Sequence, residues 1–322
     1  MKVVTCVSYH GTGSSAITDL LSEFACIHNM SNYEFRFAHD IDGIANLEYH
    51  LVDNFNRHNS GHALKRYKWL VDYYGDHLFV KRYEPFFHGL WKEISYRYIE
   101  ALTDFKFNGS WQYDYYDRGP LFSFIFKFPQ RVMSRTIWRG QPDKTIDMLS
   151  KEVTYCCHLP NREKFLQLTR EYTNSLFKAA NQKSKPFLMI DQVLPSSNIA
   201  WHMRYFEDIC AIIVDRDPRD LFVLAKYYWN DPVVPKDVKT FCKWFKYVRY
   251  HQAQEINNDR VKFVHFEDLV YQYEDTKNQI ASWLHLPISE QTRKFSCFNP
   301  EISFKNTKVW TRCNNALDEI VV

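Results

Sequence analysis

The first twenty-four residues constrain the fold more than any other stretch. An apolar, β-branched run over residues 2–9 breaks at His10-Gly11-Thr12-Gly13-Ser14-Ser15. It then gives way to Ile17, Leu20, Leu21 and Phe24 at helical spacing. A buried strand that passes through a tight turn into an amphipathic helix opens a parallel α/β sheet. Only 9 of the 322 residues are glycine, so Gly11 and Gly13 one residue apart stand out. Such a turn aims several backbone N–H groups at one point. The helix N-terminus adds partial positive charge there, making a phosphate or sulfate the natural guest. Ser14 and Ser15 can cap the helix or donate hydroxyl hydrogen bonds to the same anion. By itself the turn serves equally as a tight connection that uses its glycines for unusual backbone angles. It is not a Walker A loop, because no lysine lies between Lys2 and Lys65. That argues against an ordinary ATPase or GTPase.

The pattern predicts a second strand over residues 27–37, carrying Glu34 and Arg36 at its end. From about residue 51 to 184 the periodicity changes. Helix-like stretches at 67–74 and 88–101 alternate with aromatic segments such as Trp111-Gln112-Tyr113-Asp114-Tyr115-Tyr116, and no strand–helix alternation is visible. The sheet pattern resumes at Pro186-Phe187-Leu188-Met189-Ile190, which ends in Asp191-Gln192. A buried strand over 209–214 stops at Asp215-Arg216-Asp217-Pro218-Arg219-Asp220 and leads into a helix through Tyr228. A further strand spans 261–266, followed by a helix over 274–286 with Ile280, Trp283 and Leu284 on one face. The expectation is one α/β domain over residues 1–322, with a helical, aromatic insertion at about 51–184.

Composition narrows the function classes. Hydrophobic residues at 45% and charged residues at 25% are ordinary for a soluble globular chain. A net charge of +3 is too small to argue for nucleic acid. No apolar run approaches the ~20 residues that span a bilayer, and the N-terminus reads as a strand rather than a leader. The expected setting is the cytoplasm, without stable membrane insertion. Eight scattered cysteines include no CxxC pair, and Cys156-Cys157-His158 lacks a second ligand pair at zinc spacing, so no metal is expected.

Residues 212–220, Ile-Ile-Val-Asp-Arg-Asp-Pro-Arg-Asp, closely resemble the strand-end RxPRD motif of PAPS-dependent sulfotransferases. Val264-His265-Phe266-Glu267-Asp268-Leu269, with the helix ending Trp283-Leu284-His285-Leu286, is similar to that family's (Y/F)EDL…FLGL region. The opening turn matches its 5′-phosphosulfate loop in position and in Gly13-Ser14-Ser15. The resemblance covers the first forty residues and the chain from about residue 186, and leaves the insertion unmatched. It is nearer to carbohydrate and bacterial polysaccharide sulfotransferases than to the sterol and phenol enzymes.

The resemblance implies a P-loop-like parallel β-sheet flanked by helices, with 3′-phosphoadenosine 5′-phosphosulfate (PAPS) as co-substrate and no metal. Gly11, Thr12, Gly13, Ser14 and Ser15 would form the loop for the 5′-phosphate, and Arg216 would grip the 3′-phosphate with its guanidinium fork. Lys305 would meet the 3′-phosphate and Trp310 would stack on adenine. Glu267 and Asp268 read as structural.

Three family positions are absent. Gly11 stands where the loop usually carries Lys or Arg, Leu224 where a serine follows the arginine, and Val193 where sterol and phenol enzymes have a histidine. The proton acceptor expected instead is Glu34, with Asp191 competing. Arg36, Arg131 and Lys226 are candidates for the missing cation, and His10 and His39 read as loop histidines. The insertion would supply the acceptor site, with Arg36, Trp111 and Tyr113 as substrate contacts. A glycan hydroxyl is the leading acceptor, and a small lipid or sterol hydroxyl the alternative. A P-loop kinase or other phosphoryl transferase, and a nucleotide-binding protein without catalysis, remain the rival classes.

Overall fold

The computed structural model describes residues 1–76, 82–109, 112–141, 143–146, 152–157 and 161–313. Its strands are β1 (Lys2–Val7), β2 (Ile27–Glu34), β3 (Phe105–Gly109), β4 (Glu152–Cys156), β5 (Phe187–Asp191), β6 (Ile209–Asp215) and β7 (Val261–His265). The chain divides into two compact units. One comprises Met1–Asp40, Tyr83–Leu90 and Thr169–Val322, and the other Ile41–Arg82 and Trp91–Leu168.

The first unit holds a five-stranded parallel sheet in the order β2-β5-β1-β6-β7. The runs Lys2–Val7 and Ile209–Asp215 are buried almost throughout, as strands covered on both faces must be. Helix α1 (Ser14–Ser22) places Ile17, Leu20 and Leu21 against Val4, Cys6 and Ile212. Each such fully buried side chain contributes about 1.5–3 kcal/mol relative to exposure. The expected class, a parallel α/β sheet flanked by helices in a P-loop-like arrangement, is the one observed.

β2 ends at Glu34, three residues short of the expected limit, after a register shift between Asn29 and Glu34. Beyond it Phe35 and Phe37 turn into an aromatic cluster, where Phe35 lies 5.0 Å from the Tyr83 ring. The Tyr83 hydroxyl accepts from the Arg36 amide (2.9 Å) and donates to the Glu34 carbonyl (3.2 Å), which fixes the strand end.

The second unit contains the helices Arg57–Gly75, which starts ten residues before the expected 67–74 stretch, and Trp91–Ala101, which starts three residues into the expected 88–101 stretch. It also contains an antiparallel pair, β3 with β4, where no strand was expected. The two strands are short and far apart in the chain, so neither carries a local pairing signal. The Arg57–Gly75 helix presses on β4 so closely that a Cβ on Gly61 would overlap the Tyr155 carbonyl oxygen.

Candidate active site

The glycine turn sits at the carboxyl end of β1. Gly11 and Gly13 both have positive φ, 76° and 102°. A Cβ on Gly13 would lie 2.8 Å from a Phe266 ring carbon, and one on Gly11 2.7 Å from Leu221. Glycine is therefore required twice, by conformation and by space. Gly13, not a serine, is the residue that precedes α1, and no side chain caps that end. The expected serine cap is replaced by serines in the first turn itself, with Ser15 exposed. Thr12 is buried, and its hydroxyl donates to the Tyr9 carbonyl at 3.0 Å, closing the turn from within.

Arg216, at the end of β6, reaches under this turn. It is 6% exposed, and its Nη1 donates to the Gly11 carbonyl at 3.3 Å. Nη2 bonds the Asn306 carbonyl, and the guanidinium lies over the Phe266 ring, 4.7 Å from its centre. Its Nε is buried with no partner. Burial pulls its pKa down from the usual value, against the opposing charges of Asp220, Glu267 and Asp217. A guanidinium this desolvated and under-satisfied favours an incoming anion.

The surrounding acids are structural. Asp217 caps the Pro218–Val223 helix by accepting from the Arg219 amide at 2.9 Å, and Glu267 accepts from the Asp217 amide at 3.0 Å. Asp220 is buried and accepts from the amides of Lys308 (2.7 Å) and Trp310 (3.2 Å). Thr307 is also buried and meets the Tyr271 hydroxyl at 2.7 Å. The segment carrying Lys305 and Trp310 is thus tied to the Arg216 turn. Lys305 itself is exposed, and the Trp310 ring lies 4.1 Å from the Arg219 guanidinium.

On the other side of β1 lie two carboxylates. β1 leads to β2 on one side, whereas β5 leads to β6 on the other, so the strand order reverses between β5 and β1, the place where open parallel sheets bind ligands. Gln192, at φ 57°, joins the two strand ends by donating to the Ser8 carbonyl (3.3 Å) and hydroxyl (3.2 Å). Asp191 and Glu34 are register partners on β5 and β2. Asp191 is buried, and its Oδ1 has no hydrogen-bond partner. Burial first, and the Glu34 charge second, push its pKa to about 7, opposed by the Gln192 amide. Glu34 is exposed and lies 3.9 Å from Arg36. His39, read from sequence as a loop residue, is partly buried and donates to the Gln192 carbonyl at 2.9 Å. Burial brings its pKa down to about 4, so it is neutral.

Of the three cations considered for the loop, Arg36 is held by Asp40 at 2.8 Å, and Arg131 belongs to the second unit. Lys226 lies over the Phe222 and Tyr227 rings. An arginine that sequence reasoning did not consider is Arg249, in the last turn of the Val238–Tyr250 helix. It forms a bidentate pair with Asp215 (2.7 and 3.0 Å), sits 5.4 Å from the Tyr9 ring, and keeps a buried, unpartnered Nη1. Phe245, four residues earlier, lies under its guanidinium and is the one local signal of its orientation. His10 pairs with Asp231. Leu224, in the serine's place, opens a π-helical turn.

Trp111 lies outside the described residues. Tyr113 belongs to the second unit, where it lines a cavity of about 350 Å³ with Tyr116, Asp42, Asn59, His62 and Arg66. His62 pairs with Asp117 at 2.9 Å and Arg66 with Asp42 at 2.7 Å. Among the described residues, no group of three or more His, Cys, Asp and Glu is assembled to hold a metal ion. No helix there is long and apolar enough to cross a membrane.

No family model and no curated protein matches the chain. Among solved structures it is similar to the sulfotransferase STF9 of Mycobacterium avium, at 13% identity and TM-score 0.37 over 90% of this chain. The chain spans 65% of the length of that protein. It is also similar to the sulfotransferase STF1 of Mycobacterium tuberculosis (11%, TM-score 0.34, 96% of this chain and 76% of that one). A third match is mouse sulfotransferase SULT7A1 complexed with PAP (18%, TM-score 0.26, 44% and 54%). Likeness at these scores assigns no activity to the chain.

Proposed function

We propose that the first unit binds PAPS and passes its sulfuryl group to a hydroxyl of a saccharide. One observation carries this reading. At the carboxyl ends of neighbouring parallel strands, an uncapped helix end beside a buried, under-satisfied Arg216 follows β1, and a buried Asp191 with an unpartnered Oδ1 ends β5. Together they supply an anion site and a proton acceptor, which are the two things sulfuryl transfer to a hydroxyl requires.

In this reading the backbone of Gly11–Thr12–Gly13 and the hydroxyls of Ser14 and Ser15 hold the 5′-phosphate. Arg216 meets the 3′-phosphate, with Lys305 and Trp310 closing over the nucleotide. The acceptor O–S bond forms as the bond from sulfur to the bridging phosphate oxygen breaks, and the hydroxyl proton passes to Asp191. Glu34 keeps Asp191 basic enough to take it, and the turn's N–H groups and Arg249 balance the charge left on the departing phosphate. No metal is called upon. The aromatic walls and polar edges of the Tyr113 cavity suit a sugar ring, which supports a glycan acceptor. All eight cysteines are free thiols, in keeping with a cytoplasmic setting.

Calorimetry with 3′,5′-diphosphoadenosine (PAP) and with ATP, each with and without Mg²⁺, tests the donor. Tight binding of Mg·ATP with none of PAP overturns the reading. Transfer of labelled sulfate from PAPS to a glycan panel tests the chemistry. Asp191→Asn is expected to lower kcat by about a hundredfold with PAP affinity kept, and Tyr113→Ala to raise KM for the glycan.

A further inference from the structure

The helix Gly119–Arg135 in the second unit has no buried residue. Leu121, Phe124, Ile125, Phe128 and Val132 are 42–72% exposed. Their spacing of 3, 1, 3 and 4 residues places all five on one stripe of a helix with 3.6 residues per turn. The stripe's outward aim is fixed by what the other side does. Ser123 donates to the Tyr115 carbonyl at 3.0 Å, and Gln130 donates to the Lys144 carbonyl (2.9 Å) and accepts from the Ile146 amide (2.7 Å). Phe122 and Phe126 pack together on that inner side, 4.2 Å apart, with Tyr115 next to Phe122.

Beside the stripe runs a row of exposed cations, Lys127, Arg131 and Arg135, each one helical turn from the next. Arg118 and Arg139 extend the charge at both ends, and no Asp or Glu occurs from residue 118 to 142. Five positive charges flank one apolar stripe. We propose that this helix is a peripheral docking surface for an anionic lipid membrane, lying in the interface with its stripe in the acyl boundary and its cations at the headgroups. The helix cannot span a bilayer, since it is 17 residues long and interrupted by Pro129. A second copy of the chain is a poor occupant, because it would bring the same five cations to the same face. The proposal does not depend on the chemistry assigned to the first unit.

Sedimentation of the full chain with vesicles tests it without reference to activity. Phosphatidylcholine vesicles enriched in phosphatidylserine are expected to bind at least about tenfold more protein than phosphatidylcholine alone, with binding weakened by salt. Two variants separate the contributions. Phe124→Ser with Phe128→Ser removes the stripe, and Lys127→Gln with Arg131→Gln and Arg135→Gln removes the row. All these positions are exposed, so both variants should keep the wild-type melting temperature and lose binding to the anionic vesicles. Equal binding to both vesicle types, binding to neither, or variants that bind as wild type overturn the proposal. So does a concentration-dependent dimer abolished by the stripe variant, which would assign the face to a second copy.

Discussion

Asp191 is a residue whose environment is at odds with its chemistry. A carboxylate is usually ionised well below pH 7, yet burial and the neighbouring Glu34 hold this one near 7 from an ordinary 3.8. The consequence for stability has a definite sign. Between pH 4 and 7 the folded protein keeps a proton that the unfolded chain has released, so stability falls as pH rises through that window, by about 4 kcal/mol, and then levels off. Asp191→Asn removes the titration. The variant should be more stable than wild type at pH 8 and equal to it near pH 4, as urea unfolding at the two values will show. Wild-type activity should rise with pH through about 7, and Glu34→Gln should move that limb to lower pH by removing a like charge. A limb that stays in place in Glu34→Gln would contradict the coupling.

At the scale of elements, the 304–312 segment forms neither a strand nor a long helix, and is held by polar anchors together with Val309, buried in a cluster with Leu221 and Phe222. Asp220 accepts two of its amides, and Arg312 ties it internally through the Lys305 and Thr307 carbonyls, each at 2.7 Å. Asp220→Ala leaves two amides without an acceptor, a cost of about 3 kcal/mol. Hydrogen exchange across residues 304–312 should accelerate while β1 stays protected, and Asp220→Asn, which keeps an acceptor oxygen, should restore most of the loss. Unchanged exchange in the alanine variant would mean that the segment is held otherwise. The elements themselves were legible in the sequence, because β-branched runs and the apolar spacing of α1 are local signals. The pairing between them was not. That Glu34 and Asp191 stand side by side depends on β2 pairing with β5 across more than 150 residues, and no local pattern encodes it. Arg249 went unread for the same reason, since its partners Asp215 and Tyr9 come from two other elements. The β3–β4 pair is the converse case, two weak strands that form only because each finds the other.

For the whole molecule, averages conceal where the chemistry is concentrated. A net charge of +3 includes a local run of five cations without an acid, and the anion site proposed for the first unit would owe its charge to Arg216, Arg249 and a helix end rather than to a basic surface. A ligand that binds only the folded first unit must stabilise it by mass action. At a hundred times its Kd, PAP should raise the unfolding free energy by about 2.7 kcal/mol, whatever the acceptor proves to be. Where that stabilisation falls is the sharper test, because the nucleotide is assigned to residues that are scattered in sequence and gathered by the fold. Hydrogen exchange with saturating PAP should slow at residues 9–15, 215–220, 265–268 and 304–312, and leave the β3–β4 pair of the second unit as it was. Mg·ATP at the same concentration, lacking the 3′-phosphate that Arg216 is proposed to meet, should protect residues 9–15 at most. If PAP instead protects the second unit, or protects 9–15 without 215–220 and 304–312, then Arg216 and the segment it braces have no part in holding the donor.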